Sequence, residues 1–168
     1  MLLPKSNSND VLGTELFDVL VRAGEEKSLV TLPTRLHIFL VNCLVEHMRD
    51  RAIGFHVLAL GLLDVSAKHG EQRNLLLKRT GDAALLLAGL FPERALRLQV
   101  SSAYFRLMGQ AAYASLAARS QMLGRWHRGE FYNEVAEQFR FLEKVLNAVR
   151  ARPETEWEAY KRFRVRLT

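Results

Sequence analysis

The residue in this chain best placed to do chemistry is Asp82, a lone carboxylate at the start of the long apolar run that covers residues 83–91. A buried carboxylate is costly unless it is paired or hydrogen-bonded. If Asp82 faces the interior, we expect a hydrogen bond to Tyr104 or Tyr113, or an ion pair with Arg94. The first hypothesis is therefore that Asp82 is the polar contact of an otherwise apolar binding site.

Two structural roles compete with this site hypothesis for Asp82. In a continuous helix, Asp82 lies four residues after Lys78 and three after Arg79, at the spacing of helical ion pairs. If the helix breaks at Gly81, Asp82 becomes an N-cap that accepts from backbone N–H groups. The sequence leaves both roles open, and either is more common than catalysis.

A ligand pocket is the functional hypothesis for this region. Small residues dominate positions 103–118, and they bring helices close together or leave space between them. An interior glycine costs about 1 kcal/mol relative to alanine, so tight helix packing is the simpler explanation. In the pocket alternative, a small molecule or lipid contacts five residues: Asp82, Arg94, Tyr104, Met108 and Tyr113.

Metal-site signatures are missing from the sequence. The five histidines are scattered, with no HExxH motif, no Glu-x-x-His pair and a single cysteine, Cys43. Glu130, Glu134 and Glu137 share helical spacing and are expected to form a solvated face. We therefore predict no metal and no cofactor. The sequence leaves one alternative open, a haem held by a single histidine.

Catalytic templates fail as well. The chain has no Gly-x-Ser-x-Gly elbow, no GxxxxGK[ST] loop and no GxGxxG loop. Cys43 lies in an apolar helix, where a thiol tends to be inert. The sequence thus favours a protein that is not an enzyme.

Positive charge offers a weak nucleic-acid hypothesis. The net charge is +6, and the last 50 residues carry 11 basic against 7 acidic groups. Such groups can neutralise phosphates, but a basic terminus is more often simply solvated. The candidate contacts are Arg125, Arg128, Lys161, Arg162, Arg164 and Arg166.

The elements that must position these residues are helices. The 168 residues fit one domain, and proline is scarce. We predict an all-α, single-domain bundle of about six to seven helices, with residues 1–9 disordered, 10–163 helical and 164–168 a basic tail. Segments 36–45 and 83–90 should be central, with the small-residue helix 102–123 packed against them.

Individual helix ends follow from capping and breaking residues. Asp10 starts the first helix and Gly24 ends it, while Pro33 begins the second helix. Further helices are predicted over 53–68, 71–90 and 93–98. Pro92 opens the helix over 93–98. No segment reaches the roughly 20 apolar residues that span a bilayer, and no secretory signal opens the chain, so we expect a cytoplasmic protein.

The helix predicted over 126–150 carries a heptad seam. Its apolar residues are spaced four, three, four and three, which suits bundle packing or a homodimer. The seam residues are Val135, Phe139, Leu142, Leu146 and Val149.

The central segment also resembles a group of bacterial all-helical proteins. The similarity rests on Gly81-Asp82, Ala84-Leu85, Ala88-Gly89-Leu90-Phe91, Tyr104-Phe105, Met108-Gly109 and Ala112-Tyr113. That group has no established activity, so the resemblance implies a helical fold and a bacterial source but supplies no catalytic residues. The leading expectation is a non-enzymatic protein that acts through protein–protein contact, of the kind regulatory proteins make.

Overall fold

A computed structural model describes residues 8–48, 69–93 and 99–150 of the chain. Within these ranges the secondary structure is helical, without a strand, and the helices form one all-α bundle. The bounds are α1 Ser8–Ser28, α2 Thr34–Met48, α3 Gly70–Leu90, α4 Ser102–Met122, α5 Trp126–Glu137 and α6 Phe139–Arg150. The predicted fold class is confirmed.

Helix α3 forms the centre of the bundle. Every residue from Thr80 to Leu90 is buried, whereas the first ten residues alternate between exposed and buried. The helix is continuous through Gly81, so Asp82 is not an N-cap. The predicted central position of segment 83–90 is confirmed.

Helix α4 packs along α3 and ends within one residue of its predicted bounds. Its N-cap is Ser101, whose hydroxyl accepts a hydrogen bond from the backbone N–H of Tyr104 at 3.2 Å. A Cβ on Gly109 would lie 3.2 Å from the Cβ of Ala84 on α3 and would also overlap the ring of Phe139. Close approach of helix axes therefore explains this glycine.

Helix α2 is central along one face only. Leu36, Leu40 and Cys43 are buried, but the side chain of Ile38 is 52% exposed and Asn42 is also exposed. The segment 36–45, predicted to be central, is therefore central along its apolar face and not all round. Its apolar side packs into the core, and its other side faces solvent.

Gly24 lies inside α1 and does not end it. A Cβ there would lie 2.6 Å from a methyl group of Val149 and 2.8 Å from the carbonyl oxygen of Val145. The glycine therefore allows α1 to approach α6, and the helix continues for another turn to Ser28. The chain leaves the helix through Leu29, which adopts φ 55°.

The heptad seam is divided between two helices. Gln138 separates α5 from α6, although no glycine or proline lies nearby to signal a break. All five seam side chains are buried in the core of this same chain, and α6 packs against α1 and α3. Val135, Phe139, Leu142, Leu146 and Val149 therefore contribute to the core of the single chain, and the homodimer predicted through them stays a prediction.

Several predictions lie outside the described residues. They include the helix over 53–68, residues 94–98 of the short helix opened by Pro92, the N-terminal residues 1–7 and the tail 164–168. Helix α1 itself begins at Ser8, two residues before its predicted start. Among the described helices, none has the length and apolarity needed to cross a bilayer.

Candidate functional site

A buried polar cluster surrounds Asp82 where α2, α3 and α4 meet. The Asp82 carboxylate is fully buried. Its Oδ1 accepts a hydrogen bond from Tyr113 Oη at 2.6 Å, and its Oδ2 lies 2.8 Å from Lys78 Nζ and 2.9 Å from His47 Nε2. One carboxylate thus joins side chains from three helices.

Burial of α3 explains why Asp82 needs so many partners. The second half of this helix is enclosed on all sides, and the Asp82 side chain has no contact with water. Each carboxylate oxygen must then be satisfied by a protein donor. The hydroxyl, ammonium and imidazole groups around it fill that requirement.

The cluster holds Asp82 in its charged form. Burial alone raises the pKa of this carboxyl, but the hydrogen bonds from His47, Lys78 and Tyr113 and the Lys78 charge outweigh burial and leave its pKa below the usual 3.8. Burial lowers the pKa of Lys78, and the Asp82 and Glu46 carboxylates overcome that effect and raise it above its ordinary value. The two groups therefore form a stable ion pair.

Tyr113 is held in position by its own packing. Its ring stacks on Tyr132 at 6.1 Å between centroids, and it meets the edge of Phe39 at 5.9 Å. A Cβ on Gly81 would lie 2.7 Å from the Tyr113 ring, so the glycine leaves the space that this ring occupies. Burial and the neighbouring Asp82 charge raise the pKa of Tyr113 well above 10, which keeps it a hydrogen-bond donor.

Cys43 and His47 complete the cluster from α2. The Cys43 sulfur, a ring nitrogen of His47 and a carboxylate oxygen of Asp82 all lie within 4.8 Å of one another. Burial, followed by the Asp82 charge, raises the pKa of the Cys43 thiol well above its ordinary value. These are donor types that hold metal ions, and they form the one group of this kind among the described residues.

Sequence reasoning predicted part of this site. The inward orientation of Asp82 and its bond to Tyr113 were among the open alternatives, as was the pairing with Lys78. His47 and Cys43 were missed, although their separation of four residues places them on one helix face. A search for pairs of metal-binding side chains one helical turn apart would have found them.

The other predicted pocket residues do not join Asp82. The Tyr104 ring is 46% exposed and meets only the edge of Phe105 among the aromatic contacts of the described residues. Met108 is buried in an apolar cluster between α3 and α4, as expected of core. Arg94 lies outside the described residues.

The nucleic-acid candidates within the described residues already have partners in the chain. Arg125 Nη1 donates to Glu71 Oε1 at 2.7 Å, and the Arg128 guanidinium lies 5.8 Å from the centre of the Tyr132 ring. Lys161, Arg162, Arg164 and Arg166 lie outside the described residues. The predicted solvated glutamate face holds for Glu130, while Glu134 pairs with Arg35.

Comparison of the chain with protein-family models, curated proteins and solved structures finds no significant match. The resemblance to a group of bacterial helical proteins therefore stays a prediction. Function must be inferred from the chain's own surface and side chains.

Proposed function

We propose that this is a non-enzymatic cytoplasmic protein that acts by binding another protein through the corner between α4 and α5. One observation carries the proposal: three large apolar side chains within five residues face solvent there. Met122 is 86% exposed, Leu123 55% and Trp126 63%. Several large apolar side chains exposed within one turn of the chain are typical of interaction sites.

The residue types at this corner suit a protein interface. Tryptophan and methionine are enriched in interface cores, and tryptophan is prominent among the residues whose truncation costs most affinity. Arg125, His127 and Arg128 are neighbours of these apolar residues in the sequence, and the His127 side chain is fully exposed. The partner that fits presents an apolar surface to Met122, Leu123 and Trp126.

The backbone at the corner is well anchored. Arg125 N donates to the carbonyl oxygen of Ser120 at 2.8 Å, and Gly124 adopts φ 72°, a conformation that glycine tolerates best. The Arg125–Glu71 ion pair also ties the corner to the start of α3. The apolar side chains are thus presented on a fixed turn, which lowers the ordering cost of binding.

Among the competing functions, the small-molecule pocket has less support. The Asp82 carboxylate is occupied by three side chains, and Tyr104 is half-exposed and is not one of them. Nucleic-acid binding through Arg125 and Arg128 is also less favoured, because both guanidinium groups already contact side chains of this chain.

The test compares a corner variant with a matched surface variant. Leu123→Ser with Trp126→Ser removes apolar surface from the corner, whereas Leu75→Ser removes an equally exposed leucine from α3. We expect the corner variant to lose the proteins that co-purify in stoichiometric amounts with the wild-type chain from native cells. The Leu75→Ser variant should retain them. Circular dichroism checks that both variants stay folded.

Three results would contradict the proposal. One is a wild-type protein that is strictly monomeric and retains no specific partner. Another is a partner set that the corner variant keeps unchanged. The third is salt-sensitive nucleic-acid binding that depends on the corner arginines, which would replace the protein partner with a polyanion.

A further inference from the structure

Cys43, His47 and Asp82 bring three different metal-binding atoms together at a point away from the α4–α5 corner. Cys43 and His47 lie one turn apart on α2, and Asp82 faces them from α3. Their sulfur, nitrogen and oxygen atoms all lie within 4.8 Å of one another. The Cys43 residue is 1% exposed and Asp82 is fully buried, while the His47 side chain is 9% exposed.

We propose that these three side chains bind one divalent transition-metal ion of the zinc class. A thiolate, an imidazole and a carboxylate are the ligands zinc uses in proteins, with bonds of about 2.0–2.3 Å. The mixed sulfur and nitrogen set favours zinc over magnesium or calcium, which prefer oxygen ligands. Three protein donors leave one position of a tetrahedron for water or another ligand.

The surrounding contacts allow the carboxylate to turn toward an ion. Lys78 Nζ bonds both Asp82 Oδ2 and Glu46 Oε2, the latter at 2.6 Å. The ammonium therefore keeps a carboxylate partner when Asp82 binds metal. Tyr113 donates to the other oxygen, Oδ1, and so orients the carboxylate as supporting residues in metal sites do.

Metal binding removes protons from the ligand atoms and replaces them with bonds to the ion. The Cys43 S–H bond breaks, its proton leaves to solvent, and the sulfur lone pair forms the metal–sulfur bond. His47 donates its Nε2–H to Asp82 Oδ2 at 2.9 Å in the metal-free chain; on metal binding this proton leaves Nε2, Nδ1 carries the remaining ring proton, and the freed Nε2 lone pair forms the metal–nitrogen bond. No electron transfer is involved, and the raised pKa of the thiol means that the ion must displace this proton.

His37, which also contacts carboxylates, lacks this geometry. His37 lies between Asp18, which contacts Nε2 at 2.8 Å, and Glu25, which contacts Nδ1 at 2.7 Å. These carboxylates lie at opposite edges of the ring, so a single ion cannot reach both together with a ring nitrogen. Among the residues that the structure describes, the Cys43 cluster is therefore the one that fits a metal.

Cobalt(II) binding to the full-length chain tests the proposal. Cys43 is the only cysteine in the sequence, so a thiolate-to-cobalt charge-transfer band reports directly on this residue. We expect one ion per chain and displacement of the band by zinc. Cys43→Ala, His47→Gln and Asp82→Asn should each weaken binding by more than about 100-fold, since even supporting residues contribute about 10- to 100-fold.

Two further variants separate a metal site from a structural network. His127→Gln removes a fully exposed histidine and should leave cobalt affinity unchanged. Lys78→Gln removes the cation that competes for Asp82, and should tighten binding by about tenfold or more because nearby charge is weakly screened in the interior. This variant also keeps the test informative if one of the ligand variants fails to fold.

The proposal is overturned if the folded wild-type chain shows no charge-transfer band at high cobalt concentration. A band that survives both His47→Gln and Asp82→Asn would equally reject the three-donor site, since Cys43 alone would then hold the ion. A stoichiometry of one ion per two chains would place the metal between copies and reject the site within the chain.

Discussion

Two histidines on α2, ten residues apart, show how differently one helix can use the same side chain. His37 bridges Asp18 and Glu25 near the surface, and the Asp18 side chain is 37% exposed. His47 contacts Asp82, which has no exposure at all, beside a buried thiol and Tyr113. The first cluster ties α1 to α2, whereas the second joins three helices in the core.

The difference between these clusters is one of solvent screening. Water competes for the Asp18 carboxylate and weakens its ion pairs, so surface pairs contribute little to stability. Asp82 has no water to replace a lost partner, so every contact in its cluster matters more. The hydrogen-bond distances at Asp18 and Asp82 are therefore similar, but the contributions of the two clusters to the free energy of unfolding differ.

The largest expected effect comes from removing the two carboxylates in turn. Asp82→Ala leaves Lys78, His47 and the Tyr113 hydroxyl without their shared acceptor, and should lower the free energy of unfolding by about 3–5 kcal/mol. Asp18→Ala should cost less than about 1 kcal/mol. Urea denaturation measures both, and equal costs would show that the two clusters do not differ.

The two tyrosines of the central segment provide a smaller contrast. Tyr113→Phe removes a donor to a buried charged acceptor and should cost about 1.5–3 kcal/mol. Tyr104→Phe changes a half-exposed ring whose hydroxyl has no comparable bond to the described residues, and its effect should stay within about 0.5 kcal/mol. If Tyr113→Phe proved neutral in the same denaturation assay, the Asp82–Tyr113 bond would have no energetic role.

Acid should weaken the Asp82 cluster in a defined direction. Because the folded-state pKa of Asp82 lies below 3.8, its charge contributes stability above that pH, and the contribution is lost as pH falls through the lowered folded pKa. The stability difference between wild type and Asp82→Asn should therefore be constant above about pH 5 and shrink below about pH 4. Denaturation is measured with a chelator present, and a difference that grew in acid would refute the assignment.

Salt gives the smallest and most selective comparison. Raising ionic strength from about 0.1 M to about 1 M shortens the screening length from about 10 Å to about 3 Å. The small cost of Asp18→Ala should then disappear, whereas the cost of Asp82→Ala should persist because the buried pair is poorly screened. Parallel loss of both costs would place Asp82 in contact with solvent.

Local sequence patterns predicted the helices well where they have their own signals. Ser101 begins α4 as an N-cap, and the small residues of α4 indicated its close packing on α3. The interruption at Gln138 has no local signal, because no residue near it disfavours a helix. At Gly24 the error was the opposite, because a helix end was predicted and the helix continues. Glycine often ends helices, but Gly24 allows α1 to contact α6.

The candidate site was only half predictable for a similar reason. Asp82 stands out because a carboxylate within an apolar run must find partners, and Tyr113 was among those considered. His47 and Cys43 have no unusual neighbours in sequence, and only the packing of α2 against α3 brings them to Asp82. Tyr104 and Tyr113 look alike in sequence, yet helix rotation exposes one and buries the other.

The sequence by itself determined an all-helical bundle, the central position of residues 83–90 and the need for a partner at Asp82, because helix propensity, apolar periodicity and the cost of a buried charge are local properties. The tertiary structure alone decided which side chains meet that carboxylate and that the heptad seam closes the bundle. Those outcomes depend on the rotation and approach of helices far apart in the chain, which residue spacing within a single helix does not specify.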